Sequence, residues 1–266
     1  MPGPPWAATS LRNTSMRDVA ADAIALRQLH VAGTPLVLAN AWDPPTAALV
    51  AAAGFPVVAT SSAAVAQTNG FADHGHLPAT VALDALARLA AAVTVPVTAD
   101  MEDGYGLGAH ELVTGLIEAG ACGLNVEDSD HHNGGLVDVD AHAERIAAIK
   151  DAARAAGVDL VLNARIDVHL RGLPVEDGLR RAARYRAAGA DCLYPIGLSD
   201  VGALREYAAV GPVNALYRPG SPAIDELAEA MVSRISVGAG LFTLALQGVR
   251  TAVDALRDSR DPWSVG

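Results

Sequence analysis

Thr98-Ala99-Asp100-Met101-Glu102-Asp103-Gly104-Tyr105-Gly106 follows directly on apolar Val95, Pro96 and Val97. A short buried strand that ends in three carboxylates and two glycines is unfavourable unless a cation meets the charge. Carboxylates two residues apart at a strand rim suit a hard divalent ion with oxygen ligands. The same pattern recurs in Gly123-Leu124-Asn125-Val126-Glu127-Asp128 and in Leu160-Val161-Leu162-Asn163-Ala164-Arg165-Ile166-Asp167. Three apolar strands that each deliver charged groups at the C-terminal end are the signature of a (β/α)8 barrel, an α/β fold whose active site lies on that face.

The rest of the chain repeats this rhythm. Strands are predicted at Leu36–Asn40, Val57–Ser61, Val95–Asp100, Cys122–Glu127, Asp159–Arg165, Asp191–Pro195, Gly211–Ala215 and Arg234–Val237, each short and apolar as for a sheet buried on both faces. Helices are predicted at Pro44–Ala53, Thr80–Ala92, Ala109–Ala119, Ala141–Ala156, Val175–Ala188, Val201–Ala208, Ala223–Val232 and Leu241–Leu256. Gly54, Gly120, Gly157 and Gly189 stand where helix C-caps are expected. An extra helix, Met16–His30, is expected to cover the barrel bottom, after a Pro-bearing start whose residues 1–15 are expected to be flexible. At 266 residues the chain matches one barrel of about 250 residues, so 1–266 reads as a single domain.

Composition narrows the function. Aromatic residues make up only 4% against 51% hydrophobic, so the core must be aliphatic. A net charge of -11 argues against nucleic acid and anionic membrane as partners. No signal peptide and no membrane span is expected. Cys122 and Cys192 both fall in predicted strands, as in a reduced, cytoplasmic protein. Lys150, the single lysine, reads as a solvated residue of a helix, remote from any strand C-terminus, which disfavours Schiff-base and pyridoxal-phosphate chemistry.

The predicted strand ends collect Asn40, Trp42 and Asp43, then Ser61 and Ser62, a loop with Asp73, His74 and His76, then Asp100, Glu102 and Asp103, Glu127, Arg165 and Asp167, Tyr194 and Asn214. Asp73–His76 offers no third well-spaced ligand for zinc. One arginine among many acids can hold an anionic substrate that a metal also chelates, and arginine suits bidentate carboxylate recognition. The implied ligand is a small acid with an oxygen beside its carboxylate, such as a 2-oxo acid.

On these residues the chain resembles the isocitrate lyase/phosphoenolpyruvate mutase superfamily over nearly its whole length. The matching pieces are Asn40-Ala41-Trp42-Asp43, Ala59-Thr60-Ser61-Ser62-Ala63, Gly70-Phe71-Ala72-Asp73, Asp100 through Gly106, Asn125-Val126-Glu127-Asp128 and Ala164-Arg165-Ile166-Asp167. The resemblance implies that Asp100 binds Mg²⁺ (or Mn²⁺) directly while Asp73, Glu102 and Glu127 hold metal-bound waters. It implies that Ser61, Ser62 and Ala63 cradle a substrate carboxylate, with Arg165 opposite and Trp42, Tyr194 and Asn214 completing the pocket. It also implies a last helix exchanged between subunits of a homodimer or homotetramer. The shared chemistry is a C–C or P–C bond made or broken beside a 2-oxo acid through a pyruvate enolate.

Departures narrow this. The Lys-x-Cys-Gly-His loop of the isocitrate and methylisocitrate lyases is replaced by Asp128-Ser129-Asp130-His131-His132-Asn133-Gly134-Gly135, and Ile196 stands where those lyases carry a glutamate. The Lys-Thr-Asn-Ser-type loop of phosphonopyruvate enzymes is missing too. His131 and His132 become the candidate proton donors beside Glu127 and Arg165. The expected activity is a Mg²⁺-dependent lyase, with methylisocitrate-type cleavage or oxaloacetate decarboxylation. A phosphonate P–C enzyme and a non-catalytic 2-oxo-acid binding protein are the alternatives.

Overall fold

Short runs of aliphatic residues alternate with capped helices and wind into a closed parallel barrel in the computed structural model, which describes residues 17–131 and 133–264. The strands are β1 (Leu36–Leu38), β2 (Asn40–Ala41), β3 (Val58–Thr60), β4 (Val97–Asp100), β5 (Gly123–Glu127), β6 (Val161–Arg165), β7 (Cys192–Tyr194), β8 (Asn214–Leu216) and β9 (Arg234–Ser236). β1 and β2 are two halves of one barrel strand, separated at Ala39: the first pairs with β9, the second with β3. Hydrogen-bonded neighbours then run β2 to β7 in chain order, and β8 pairs with β9. A parallel bridge between Leu193 and Val213 joins β7 to β8 and closes the ring. Every named strand pair is parallel, so all C-terminal ends open on one face.

The helices are α1 (Val19–Gln28), α2 (Pro44–Ala52), α3 (Ser62–Thr68), α4 (Ala79–Ala90), α5 (Ala109–Ala119), α6 (Val139–Ala155), α7 (Val175–Ala187), α8 (Val201–Val210), α9 (Ile224–Glu229) and α10 (Gly240–Arg257). Local chemistry fixes their ends. Asp43 caps α2 by accepting the Thr46 amide at 2.8 Å, with proline at the first turn. Gly120 ends α5 in the left-handed conformation. Among the described residues no helix is long and apolar enough to cross a membrane.

The extra N-terminal helix is present as α1, and its Leu26 is fully buried against the barrel. Gly123 permits this, because a Cβ there would lie 2.8 Å from both Leu26 Cδ2 and the Val161 carbonyl. The segment expected to be flexible, residues 1–15, lies outside the described residues. α3 was not expected: its short Ala-rich run after β3 has too few turns to show a helical period.

Lys150 corrects the sequence reading. It is not solvated but 4% exposed, donating to Asp159 at 2.7 Å, Asp191 at 2.9 Å and the Leu160 carbonyl at 2.7 Å. Its place in α6 is on the buried stripe, and two aspartates that precede β6 and β7 supply its counter-charge. Those aspartates lie at the strand N-terminal ends, so the lysine remains on the face opposite the carboxylate-bearing rim.

Two buried histidines weaken the fold in acid. Burial, with Arg145 and Arg181 nearby, holds His142 down to about 3; burial, with Arg234 next, holds His30 down to about 4. Below pH 6.5 the unfolded chain binds protons at both sites and the native chain does not, so stability falls as pH drops toward the native values. Between pH 6.5 and 5 each histidine should cost about 2 kcal/mol. Glu102, raised to about 8, contributes the opposite slope over this range, so the histidine effect is read as a difference: in urea unfolding His142→Phe, which keeps an aromatic ring beside Tyr185, should gain about 2 kcal/mol on the wild type between pH 6.5 and 5.

Candidate active site

β4 ends on Asp100, whose backbone amide donates to Thr60 Oγ1 of neighbouring β3 at 2.8 Å. Ser62, at the start of α3, donates to Asp100 Oδ2 through its amide at 3.2 Å and its hydroxyl at 2.9 Å. The other oxygen, Oδ1, is buried without a hydrogen-bond partner, and so is Oδ1 of Asp73. Two unsatisfied carboxylate oxygens in one place are costly unless a donor or a cation meets them. Both residues line a cavity of about 390 Å³ at the C-terminal face of the barrel.

The next residues of the opening motif turn sharply. Glu102 takes a positive φ of 49°, Gly104 of 97° and Tyr105 of 52°. Gly104 is required twice over, since a side chain there would also strike the Arg145 guanidinium, which donates to Asp103 O at 2.8 Å and Leu107 O at 3.2 Å. The turn buries the Glu102 carboxylate, which accepts from the Gly75 amide and from Tyr105 Oη at 3.2 Å. Burial pushes its pKa up to about 8; the Gly75 hydrogen bond opposes this, and the carboxylates of Asp73, Glu127 and Asp100 add to it. Such mutual elevation marks a place that negative charge alone cannot comfortably fill.

β5 and β6 put Glu127 and Arg165 in register. Arg165 is held on two fronts: Nε and Nη2 each donate to Asp167 at 2.8 Å, and Nη1 forms an ion pair with Glu127. Burial works against its charge, but Glu127, Asp167 and Asp100 outweigh it and raise the pKa. Asp167 is braced in turn by Ser129 Oγ at 2.6 Å and, through its amide, by Asp128 at 2.9 Å. Asp128 accepts from Arg181 at 3.0 Å and Tyr185 at 2.8 Å, both on α7. The guanidinium therefore stands in one orientation at the cavity wall.

Of the residues singled out from sequence, Ser61, Ser62, Ala63, Asp73, Asp100, Arg165 and Tyr194 line the cavity together. Glu102 and Glu127 are buried beside it, each 2% exposed. His131 binds Glu127 through Nε2 and lies 5.4 Å, ring to ring, from His74, which itself lines the cavity. The Glu127 hydrogen bond raises the His131 pKa. His132 lies outside the described residues.

Two assignments are corrected. Trp42 is not in the cavity lining; it packs edge-on against Phe242 of α10 at 5.2 Å. Asn214 is fully buried and donates to Ser236 Oγ at 3.2 Å. β8 starts at Asn214 instead of ending there, so the cavity wall is built by Leu216 and Arg218. The sequence reading ended this strand too early. It also missed Asn125 and Ser236 of the cavity wall, although Asn125 sits two residues before Glu127 and shares its inward face.

At the opposite end, a recess of about 490 Å³ between α1, β1 and the α2–β3 connection is lined by no charged residue. The chemistry is confined to the carboxylate-bearing face. Neither thiol contributes: Cys122 and Cys192 are free and buried, and burial pushes each up to about 12.

A parallel (β/α)8 barrel with a carboxylate cluster and one braced arginine at its C-terminal mouth defines the class. The chain belongs to the phosphoenolpyruvate phosphomutase (PEP mutase) family, whose model matches residues 26–257. It is 38% identical to the solved structure of a putative phosphonomutase from Burkholderia cenocepacia J2315, with a TM-score of 0.83, covering 89% of this chain and 98% of that one. It is 29% identical to oxaloacetate decarboxylase 1 of Pseudomonas fluorescens (strain Pf0-1), over 88% of this chain and 83% of that protein. It is 30% identical to 2-methylisocitrate lyase of Bacillus subtilis (strain 168), over 71% of this chain and 64% of that protein. The chain is thus an enzyme of the isocitrate lyase/PEP mutase superfamily of lyases and mutases.

Asp167→Ala should leave Arg165 with Glu127 alone and Ser129 without its acceptor. Breaking a buried pair in this way should cost about 3 kcal/mol in urea unfolding. Unchanged stability would mean that the Asp167 brace is dispensable.

Proposed function

We propose that the enzyme is a Mg²⁺-dependent lyase that cleaves a C–C bond next to a 2-oxo acid by way of a pyruvate-type enolate. The observation that carries this is the pair of unpartnered buried oxygens, Asp73 Oδ1 and Asp100 Oδ1, in the same cavity as the fixed Arg165 guanidinium. The donor set is all oxygen, which fits Mg²⁺, with Mn²⁺ as the substitute. Among the described residues no three His, Cys, Asp or Glu side chains are placed to hold an ion by themselves. The resemblance makes Asp100 the direct ligand, with Asp73, Glu102 and Glu127 reaching the ion through water, in keeping with the hydration Mg²⁺ retains. When bound, the ion polarises the substrate's 2-oxo and carboxylate oxygens.

The chain's own groups do the rest. Arg165 binds the substrate carboxylate and offsets the charge that develops as the bond breaks. The Ser61–Ala63 turn holds the other side of that carboxylate. His131, whose pKa the Glu127 hydrogen bond raises, is the proton donor in this reading, with His132 the alternative. Both thiols stay buried and protonated, so neither serves as an acid. The two specific reactions are methylisocitrate-type cleavage and oxaloacetate decarboxylation, each supported by a relative that bears that name. A phosphonate P–C enzyme is the second reading, favoured by the likeness to the putative phosphonomutase. The free thiols accord with a reducing, cytoplasmic setting.

Purified protein with Mg²⁺ should turn over oxaloacetate or methylisocitrate in preference to phosphonopyruvate, and EDTA should abolish activity. Asp100→Ala should lose metal binding outright, whereas Glu102→Ala should weaken it about 10–100-fold, as for a group acting through water. Oxalate, which resembles the enolate, should inhibit only with metal present, and Arg165→Ala should weaken it about 10–100-fold. Full activity in metal-free buffer would overturn the proposal.

Assembly belongs to the same reading. α10 leaves Leu244, Leu246, Val249, Val253 and Leu256 each at least half exposed, more apolar surface than one helix normally shows to water. Exchange of this helix between subunits would bury that row in a homodimer or homotetramer. Light scattering at micromolar concentration should give a multiple of 27.2 kDa, and Leu246→Asp with Val253→Asp should return the monomer. A monomeric wild type would contradict it.

A further inference from the structure

Beneath the carboxylates lies a second polar layer that the lyase reading leaves unused. Arg234, on β9, is 1% exposed, and among the described residues it has no carboxylate in ion-pair contact. Its Nη2 donates to Asn125 Oδ1 at 3.2 Å, while Nε and Nη1 have no hydrogen-bond partner. Asn163 Nδ2 donates to the same Asn125 oxygen at 2.8 Å. A guanidinium carries donors only and does not give up its charge, so a fully buried one dictates the orientation of whatever it touches. The amide of Asn125 cannot flip: its oxygen must face Arg234.

The consequence falls on the other end of that amide. Asn125 lines the cavity and pairs in register with Asp100 across β4 and β5. With the oxygen committed downward, the Asn125 NH2 group has no protein acceptor among the described residues and is left at the cavity floor. Asp100 beside it already accepts from Ser62 with one oxygen and keeps the other unpartnered. An uncommitted neutral donor, backed by a buried positive charge, recognises a small anion's oxygen in a space where most other polar groups repel one.

We infer that Asn125 is a substrate-binding residue, donating through Nδ2 to the deepest oxygen of a small 2-oxo or dicarboxylate anion, and that Arg234 is the positioning residue that fixes this amide. This rests on the proposed 2-oxo-acid site but adds a floor to it. Arg234 never touches the ligand; its effect passes through the Asn125 amide. The low-dielectric interior strengthens the arrangement, because an amide already polarised by a guanidinium is a better donor at its far end.

Calorimetric titration of the Mg²⁺-loaded protein with oxalate tests this without turnover. Asn125→Asp keeps the size and an acceptor for Arg234 but turns an acceptor toward the cavity; oxalate should bind about 10–100-fold more weakly, with the fold retained. Arg234→Gln should weaken oxalate by about 10-fold, and this loss should disappear in the Asn125→Leu background, where there is no amide to orient. Mg²⁺ affinity without oxalate should change little in Arg234→Gln, whereas a merely loosened barrel would lower both. Equal oxalate affinity in wild type and Asn125→Asp would overturn the Asn125 assignment and the Arg234 role that depends on it, and would leave the 2-oxo-acid reading standing. The same loss from Arg234→Gln in both backgrounds would overturn the positioning role. Failure of the wild type to bind oxalate would overturn the 2-oxo-acid reading, and with it the ligand named here.

Discussion

The placement of Arg165 is the constraint on which the rest of the site depends. Its buried guanidinium is paired from two directions, by Asp167 and Glu127. Those carboxylates are themselves charges out of water, so each needs donors of its own. Asp167 finds Ser129, Glu127 finds His131, and Asp128 extends the demand to Arg181 and Tyr185 on α7. One strand-end arginine thereby ties together Ser129 and His131 after β5, the turn after β6 and the docking of α7. Buried ion pairs of this kind are weak contributors to net stability, because desolvation cancels much of the attraction. What they supply is orientation, which a site that must bind a carboxylate requires more than it requires stability.

The two ends of the barrel solve their electrostatics in opposite ways. At the N-terminal end, Lys150 and Arg27 meet Asp159 and Asp191, and the charges close on one another. At the C-terminal end the acids outnumber their partners. Asp73 and Asp100 keep unsatisfied oxygens, and Glu102 is driven toward neutrality by burial and by its neighbours. A fold needs only the first arrangement. The second leaves carboxylate charge unmet by protein donors, which under the proposed function a divalent cation would meet, and that is the physical reason for placing the site at this end.

Much of this was legible in the sequence, and what was not has identifiable causes. β4, β5 and β6 could be read because an apolar run stops abruptly at charge, and the helix Ala109–Ala119 could be bounded because Gly120 is a left-handed cap. The same logic failed at β8, where Asn-Ala-Leu-Tyr carries no charge until Arg218. With nothing to mark the rim, the strand was ended too early and Asn214 was placed at the mouth instead of the interior. Lys150 was misread because a charged residue on an apolar stripe usually reaches solvent; two aspartates distant in sequence made its burial tolerable. Trp42 lies on a matching motif, but the aromatic ring it packs against, Phe242, is two hundred residues later in the chain. Errors of this type arise wherever a side chain's fate is decided by a non-local partner.

The polar floor follows from the same reasoning carried one layer deeper. In a barrel filled by layers of side chains, the layer beneath the site is normally aliphatic. Here it holds Thr98, Asn125, Asn163, Asn214 and Arg234, all buried. Amides and a guanidinium in that position forgo the packing energy that Leu or Val would give and must be satisfied by one another. They are satisfied incompletely: Asn163 Oδ1, Asn214 Oδ1 and two nitrogens of Arg234 have no partner. An interior that tolerates such costs is one whose charge distribution matters more than its packing. The positive charge of Arg234 lies under a rim dominated by carboxylates. On the inference drawn above, that charge acts on the site through the Asn125 amide, which it orients with its donor toward the carboxylate-bearing mouth.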